Sequence, residues 1–229
     1  TLHTIAQKGA QDFYRGSLAK DIAQACANQP GSITTSDLAN YKVRWRQPVA
    51  GTFLDRTIAS MPPPSSGGAV LIEILNIVEP IFESAYRQRH HKVDYYAILA
   101  EAMKHGFADR ATYFGDPDFV EVPVSRLTSK SYAKRLRKDF SVDPKPRDHY
   151  GGQLLGKERP SAPPKDSGTS HISIIDNEGN AVALTTSVNY LFGSLVRVPK
   201  VGIVLNNTMD DFALAPGVPN VFGLVQSEA

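Results

Sequence analysis

The sequence predicts an α+β fold on three observations. Apolar residues recur mostly at helical spacing through the first 140 residues, a stretch rich in proline, glycine and charge follows, and beyond it the apolar period becomes two. With 229 residues, 41% of them hydrophobic, the chain has enough apolar material for a sizeable core. Lys and Arg number 25 against 23 Asp and Glu, so no overall field gathers nucleic acid or an anionic membrane, and partners must be recognised locally. No apolar run reaches the roughly 18 residues of a membrane span. No basic-then-apolar signal follows Thr1, so any targeting segment is expected outside this chain. Cys26 is the only cysteine, which excludes an intramolecular disulfide. The histidines are scattered and His90-His91 are adjacent, so neither a metal nor another cofactor is expected.

Each element follows from its pattern. Residues 17–28 place Leu18, Ile22, Ala25 and Cys26 on one helix face behind a serine able to cap, and Pro30-Gly31 ends the run. "TTSDLANYK" at 34–42 offers a second capped start. "WRQPVAGTFLDRTIASM" alternates as a strand pair would, with Gly51 in the turn zone. After "MPPPSSGG", residues 69–82 form an apolar helix buried on most of its circumference. The longer helix at 93–114 carries Ile98, Leu99, Ala102, Met103 and Phe107 toward a core, with Glu101, Asp109 and Arg110 in ion pairs. A basic helix at 129–140 leads into a linker over 141–168. "HISIID" and "AVALTTSVN" then read as a hairpin around "NEGN", and "VGIVLNNTMDDF" as a further strand. The organisation expected is a helical part over 1–168 and a sheet part over 169–229.

Gly168-Thr169 stands where linker becomes strand. A threonine hydroxyl is a weak nucleophile without a neighbouring base, and its own α-amine can serve, with an ordinary pKa of about 7.7 to 8.0. A mid-chain threonine gains that amine only when the preceding bond is cut. A glycine carbonyl in loose chain is open to attack by Thr169 Oγ. By spacing alone, a Gly-Thr before a strand is usually the plain start of that strand.

The set "MPPPSSGG", "GDPDFV", "TSHISIIDNEGNAVALTTSVN", "FGS" and "LNNTMDDFALAPGVPN", in that order, resembles the γ-glutamyltranspeptidase family of N-terminal nucleophile hydrolases over essentially the whole chain. The resemblance implies part of an αββα sandwich, incomplete in this chain. It also implies self-cleavage between Gly168 and Thr169, Thr169 as the catalytic nucleophile, and Ser187 as a supporting hydroxyl where the family usually has threonine. Asn189, Thr208 and Asp211 fall at substrate-binding positions, Thr208 replacing the usual Glu or Gln, and Asp210 reads as structural. Phe222 falls in the lid loop at a position where many bacterial members carry tyrosine. The implied reaction forms a γ-glutamyl ester on Thr169 from glutathione or a related amide, then passes the acyl group to water or an amino-acid amine. The family's oxyanion glycines and carboxylate-gripping serines are expected after "GLV", and its arginine before Thr1, so the remaining segments of a full-length protein are expected partners. Family habit implies a periplasmic or secreted enzyme. A glutaryl or cephalosporin-type acylase, an inert uncleaved fragment and a binding module remain alternatives. His171 reads as a packing or hydrogen-bonding residue, and Asn206-Asn207 as loop ties.

Overall fold

The computed structural model describes residues 1–27, 32–87, 95–140, 149–150, 153–154, 169–212, 215 and 217–220. The chain divides into two compact units that interleave along the sequence, Thr1–Trp45 with Pro163–Asp211, and Arg46–Ala162 with Phe212–Ala229.

The first unit opens with four helices, α1 (Leu2–Lys8), α2 (Ala10–Arg15), α3 (Ser17–Cys26) and α4 (Thr35–Asn40). In α3 the expected stripe of Leu18, Ile22 and Cys26 is buried. The expected serine cap is not made. Gly16 holds the cap position, and Ser17 Oγ instead donates to Asp12 Oδ2 at 3.1 Å. At α4 the cap is complete, since Thr34 Oγ1 accepts from Asp37 N–H at 3.2 Å while Asp37 Oδ2 accepts from Thr34 N–H at 2.8 Å. These bonds from Thr34 hold the Asp37 carboxyl below its ordinary pKa.

The second unit begins with the hairpin β1 (Val49–Phe53) and β2 (Arg56–Ser60), with Val49 opposite Ser60 and Phe53 opposite Arg56. Its turn is Leu54-Asp55, so Gly51 lies inside β1 opposite Ile58. The glycine answers to packing: a Cβ there would stand 2.6 Å from Ile72 Cγ2. Helix α5 (Gly67–Arg87) is longer than its apolar run and passes Pro80 without ending. Helices α6 (Tyr95–Tyr113), α7 (Val124–Leu127) and α8 (Lys130–Leu136) follow, the last running into a 3-10 turn at Arg137–Asp139. Val70, Ile74, Ile77 and Val78 of α5 pack with Ile98, Ala102, Leu127, Ala133 and Leu136.

In α6 the buried stripe differs from the apolar one. Ile98, Ala102 and Ala108 are buried together with Glu101, His105 and Asp109, whereas Leu99, Met103 and Phe107 are 38%, 40% and 46% exposed. The polar groups earn no solvent because they have partners. Glu101 pairs with Lys104 at 3.1 Å, Asp109 accepts from the Tyr132 hydroxyl, and Arg110 donates to Ser66 Oγ at 3.0 Å. Most of the expected linker at 141–168 lies outside the described residues. Two short strands within it, β3 (His149–Tyr150) and β4 (Gln153–Leu154), pair antiparallel.

The chain then returns to the first unit. Strands β5 (Thr169–Ile175) and β6 (Ala181–Ser187) form the expected hairpin, with Asp176 Oδ1 accepting from the N–H groups of Glu178 and Asn180 at 2.9 and 2.8 Å in the turn. The strand expected at 201–212 is much shorter. Only β8 (Ile203–Val204) forms, paired with β7 (Arg197–Val198), and the chain turns at Asn206, whose Oδ1 accepts from Thr208 N–H at 3.0 Å. Val198 and Val201 bury against Leu18 and Ile22 of α3. Mixed helices and small antiparallel sheets make the chain α+β.

Candidate active site

Strand alternation sorts the β5–β6 hairpin into two faces. One carries Thr169, His171 and Ser173 opposite Ser187, Thr185 and Ala183; the other carries Ile172 and Ile174 opposite Leu184 and Val182. The polar face holds the candidate chemistry. Thr169 is the first residue of β5 and Ser187 the last of β6, so the register that closes the hairpin also sets their hydroxyls 3.0 Å apart. His171 does not bond Thr169: its Nδ1 pairs with Thr185 Oγ1 at 2.7 Å and its Nε2 with Ser173 Oγ at 3.2 Å. The expectation of a hydrogen-bonding histidine is met on these partners.

Beyond β6 the chain takes a left-handed step at Asn189, with φ of 73°, a conformation asparagine tolerates better than most side chains. The step aims Asn189 N–H at Ser187 Oγ, 2.9 Å away, and its Nδ2 at the Asn207 carbonyl, 3.0 Å away. Asn189 is buried, which makes both bonds worth keeping. The same Asn207 carbonyl accepts from Asp210 N–H at 3.0 Å, and Asn207 Oδ1 accepts from Tyr190 N–H at 3.1 Å. Asn207 thus ties the 3-10 turn Thr208–Asp211 to the segment after β6. The nearby turn is fixed by Gly193 at φ 52°, where a Cβ would stand 2.1 Å from the Leu205 carbonyl oxygen.

The structure therefore joins Thr169, Ser187 and Asn189 by direct hydrogen bonds and links the turn bearing Thr208 and Asp211 to them through Asn207. Gly168 and Phe222 lie outside the described residues. Asn207 is a brace between loops, a wider part than the loop tie its sequence position implied, and no spacing rule reveals a carbonyl shared by two donors. The Thr185–His171–Ser173 row was legible only in part, because cross-strand partners depend on register.

With one Ser187 lone pair taken by Asn189 N–H, the Ser187 O–H is available to Thr169 Oγ1, although either hydroxyl can donate in this pair. A donor on that oxygen stabilises the negative charge a nucleophilic hydroxyl develops. Among the described residues no group of three His, Cys, Asp or Glu is placed to hold a metal. No helix among them is long and apolar enough to cross a membrane.

A strand-opening threonine braced by a second hydroxyl is an arrangement suited to nucleophilic acyl transfer. The chain belongs to the gamma-glutamyltranspeptidase family, whose profile matches residues 1–229. It is 43% identical over 230 residues to the glutathione hydrolase proenzyme of Escherichia coli, covering 100% of this chain and 38% of that protein. It is 35% identical over 217 residues to the acylase ACY 1 proenzyme of a Pseudomonas strain, covering 95% of this chain and 37% of that protein. Among solved structures, the cephalosporin acylase of Bacillus halodurans superposes with a TM-score of 0.72 at 28% identity, over 100% of this chain and 39% of that one. The gamma-glutamyltranspeptidase of Helicobacter pylori gives 0.59 at 40% identity, over 69% and 46%. The chain spans about 38% of the length of the first of these curated relatives.

Proposed function

We propose that this chain is the nucleophile-bearing portion of a γ-glutamyl transferase and hydrolase acting on glutathione and related γ-glutamyl amides. The observation that carries the reading is the Thr169–Ser187 hydroxyl pair at 3.0 Å on the first residue of a strand. In the maturation step Thr169 Oγ attacks the Gly168 carbonyl and the peptide becomes an ester. Water then hydrolyses the ester, leaving a carboxylate on Gly168 and a free amine on Thr169. In turnover that amine takes the Thr169 hydroxyl proton as Oγ attacks the γ-glutamyl carbonyl, and delivers it to the departing amine. Water or an amino-acid amine resolves the acyl ester by the reverse transfer. Ser187 supports Thr169 Oγ; Asn189 and Asp211 hold the glutamyl α-carboxylate and α-amino ends, Asp211 through a charge-assisted bond to the ammonium. Phe222 belongs to the lid. The division at 168 is one of processing. The remaining segments of the full-length protein supply the oxyanion and carboxylate donors, and the enzyme is periplasmic or secreted.

A second reading, an acylase for glutaryl or cephalosporin-type amides, is favoured by Thr208. Its side chain is shorter than Glu or Gln and uncharged, which removes one hydrogen bond to a substrate ammonium. The full-length protein assayed with γ-glutamyl and glutaryl anilides separates the two. Faster turnover of the γ-glutamyl anilide is expected; equal rates, or a glutaryl preference, select the acylase.

A further inference from the structure

Three helices of the second unit meet at three buried ionisable side chains that the acyl-transfer chemistry does not use. Glu73 of α5 and Asp109 of α6 are each 0% exposed, and Tyr132 of α8 is 4% exposed. The Tyr132 hydroxyl donates to Asp109 Oδ2 at 2.5 Å. Neither oxygen of Glu73 has a donor. Helices α5 and α6 run close together there, since a Cβ on Gly106 would stand 3.1 Å from Ile74 Cγ1 and 3.2 Å from Val70 Cγ1. One turn beyond Val70 and Gly106 come Glu73 and Asp109, and the Asp109 charge acts on Glu73. Two carboxylates cannot bond to each other, and two adjacent negative charges in a dry interior repel strongly. One proton between them turns that repulsion into an O–H···O bond.

Several of the surrounding cations hold partners of their own. On α5 itself, Glu79 accepts from Lys130 of α8 and from Leu54 N–H. On α6, Lys104 pairs with Glu101, Arg110 bonds Ser66, and the buried His105 sits one turn before Asp109. Arg126 of α7 and Arg135 of α8 lie over the Tyr132 ring, 5.3 and 5.1 Å from its centre, and Arg126 also covers Tyr113. Lys134 of α8 is exposed. Arg137 donates to the carbonyls of Asn76 and Ile77, and Arg56 of β2 pairs with Asp55. None of them donates to Glu73.

We propose that Glu73 and Asp109, with Tyr132 as a fixed donor, form a buried proton-binding site that clamps α5, α6 and α8 together and loosens them when the proton leaves at alkaline pH. Burial first, then the Asp109 charge and the bond to it, push the Glu73 carboxyl up to about 9. Burial and the same carboxylate also raise the Tyr132 phenol, so it remains a donor throughout. An unfolded glutamate loses its proton near 4.5. Between those values the folded chain binds more protons than the unfolded one, so the site's stabilisation is full below about 4.5 and is lost as pH rises through about 9. None of this depends on the proposed acyl transfer.

Thermal unfolding of the full-length protein across that pH range, for wild type, Glu73→Gln and Tyr132→Phe, tests the site. The wild-type midpoint is expected to fall as pH rises, Glu73→Gln to flatten the fall by about one proton's worth of linkage, and Tyr132→Phe to keep the slope at a lower midpoint. An unchanged slope in Glu73→Gln overturns the proposal. Infrared spectroscopy of the folded wild type needs no variant: the carbonyl stretch of a protonated carboxylic acid is expected at pH 7, and its absence overturns the proposal. A wild-type midpoint at pH 7 lowered by a divalent-cation chelator overturns it as well, by placing a metal where the proton is assigned.

Discussion

Helix α5 and the β5–β6 hairpin are built on opposite terms. In α5, Ile72, Ile77 and Val78 are 1%, 0% and 1% exposed, and its polar residues Asn76 and Glu79 are bonded across the core to the Thr128 carbonyl and to Leu54 N–H. In the hairpin every residue is exposed, including Ile172, Ile174, Val182 and Leu184 on one face. Burial orders the helix. The hairpin relies on its backbone ladder and on cross-strand hydroxyl and imidazole bonds, and a two-stranded ribbon on such terms is marginal by itself. The candidate chemistry therefore sits on a scaffold held by hydrogen bonds, and the Ser187–Asn189–Asn207 brace does for Thr169 what packing does for the core.

The largest effect is expected at Thr169. Thr169→Ala in the full-length protein is expected to abolish both the cut before residue 169 and turnover of γ-glutamyl anilide while leaving the circular dichroism spectrum unchanged, as intact mass and assay will record. Ile77→Ala comes next, since truncating a fully buried isoleucine costs about 2 to 5 kcal/mol in denaturant unfolding. Ser187→Ala deletes a hydroxyl bonded to the oxygen proposed to become charged, an expected loss of about 1.5 to 3 kcal/mol. That corresponds to cleavage and turnover slower by roughly 10- to 100-fold, and Ser187→Thr should restore most of it. Smallest is Ile174→Ala, on a side chain 57% exposed, which should move the midpoint of this chain by less than about 0.5 kcal/mol. A large loss there would mean that the hairpin's apolar face is covered.

Periodicity made α3, α5 and the β5–β6 hairpin legible, and "TTSDLANYK" showed a capped start for α4, whose partner Asp37 the structure supplies. It misread the core face of α6, because counting apolar residues cannot anticipate that Asp109 is buried under a tyrosine hydroxyl while Phe107 is turned outward. The pattern puts Gly51 in the turn zone, but the reason for the glycine is the approach of Ile72, a contact 21 positions away that no local window contains. The strand at 201–212 was cut short by the Asn206 side chain competing for Thr208 N–H. At the candidate site, family resemblance proposes Thr169, Ser187 and Asn189; the hairpin register sets Thr169 beside Ser187, and the left-handed step at Asn189 brings its N–H to Ser187 Oγ. The brace through Asn207 was not legible, since it depends on the left-handed backbone at Asn189, which the residue's identity permits without requiring.

The central claim is that the Thr169 hydroxyl becomes a nucleophile once its own amine is free. N-terminal sequencing of the full-length protein, taken from the same sample that is assayed on a γ-glutamyl anilide, tests it directly. A second chain beginning at Thr169 is expected, in amounts that track activity. Full activity in a sample whose chain is unbroken between Gly168 and Thr169 would contradict it.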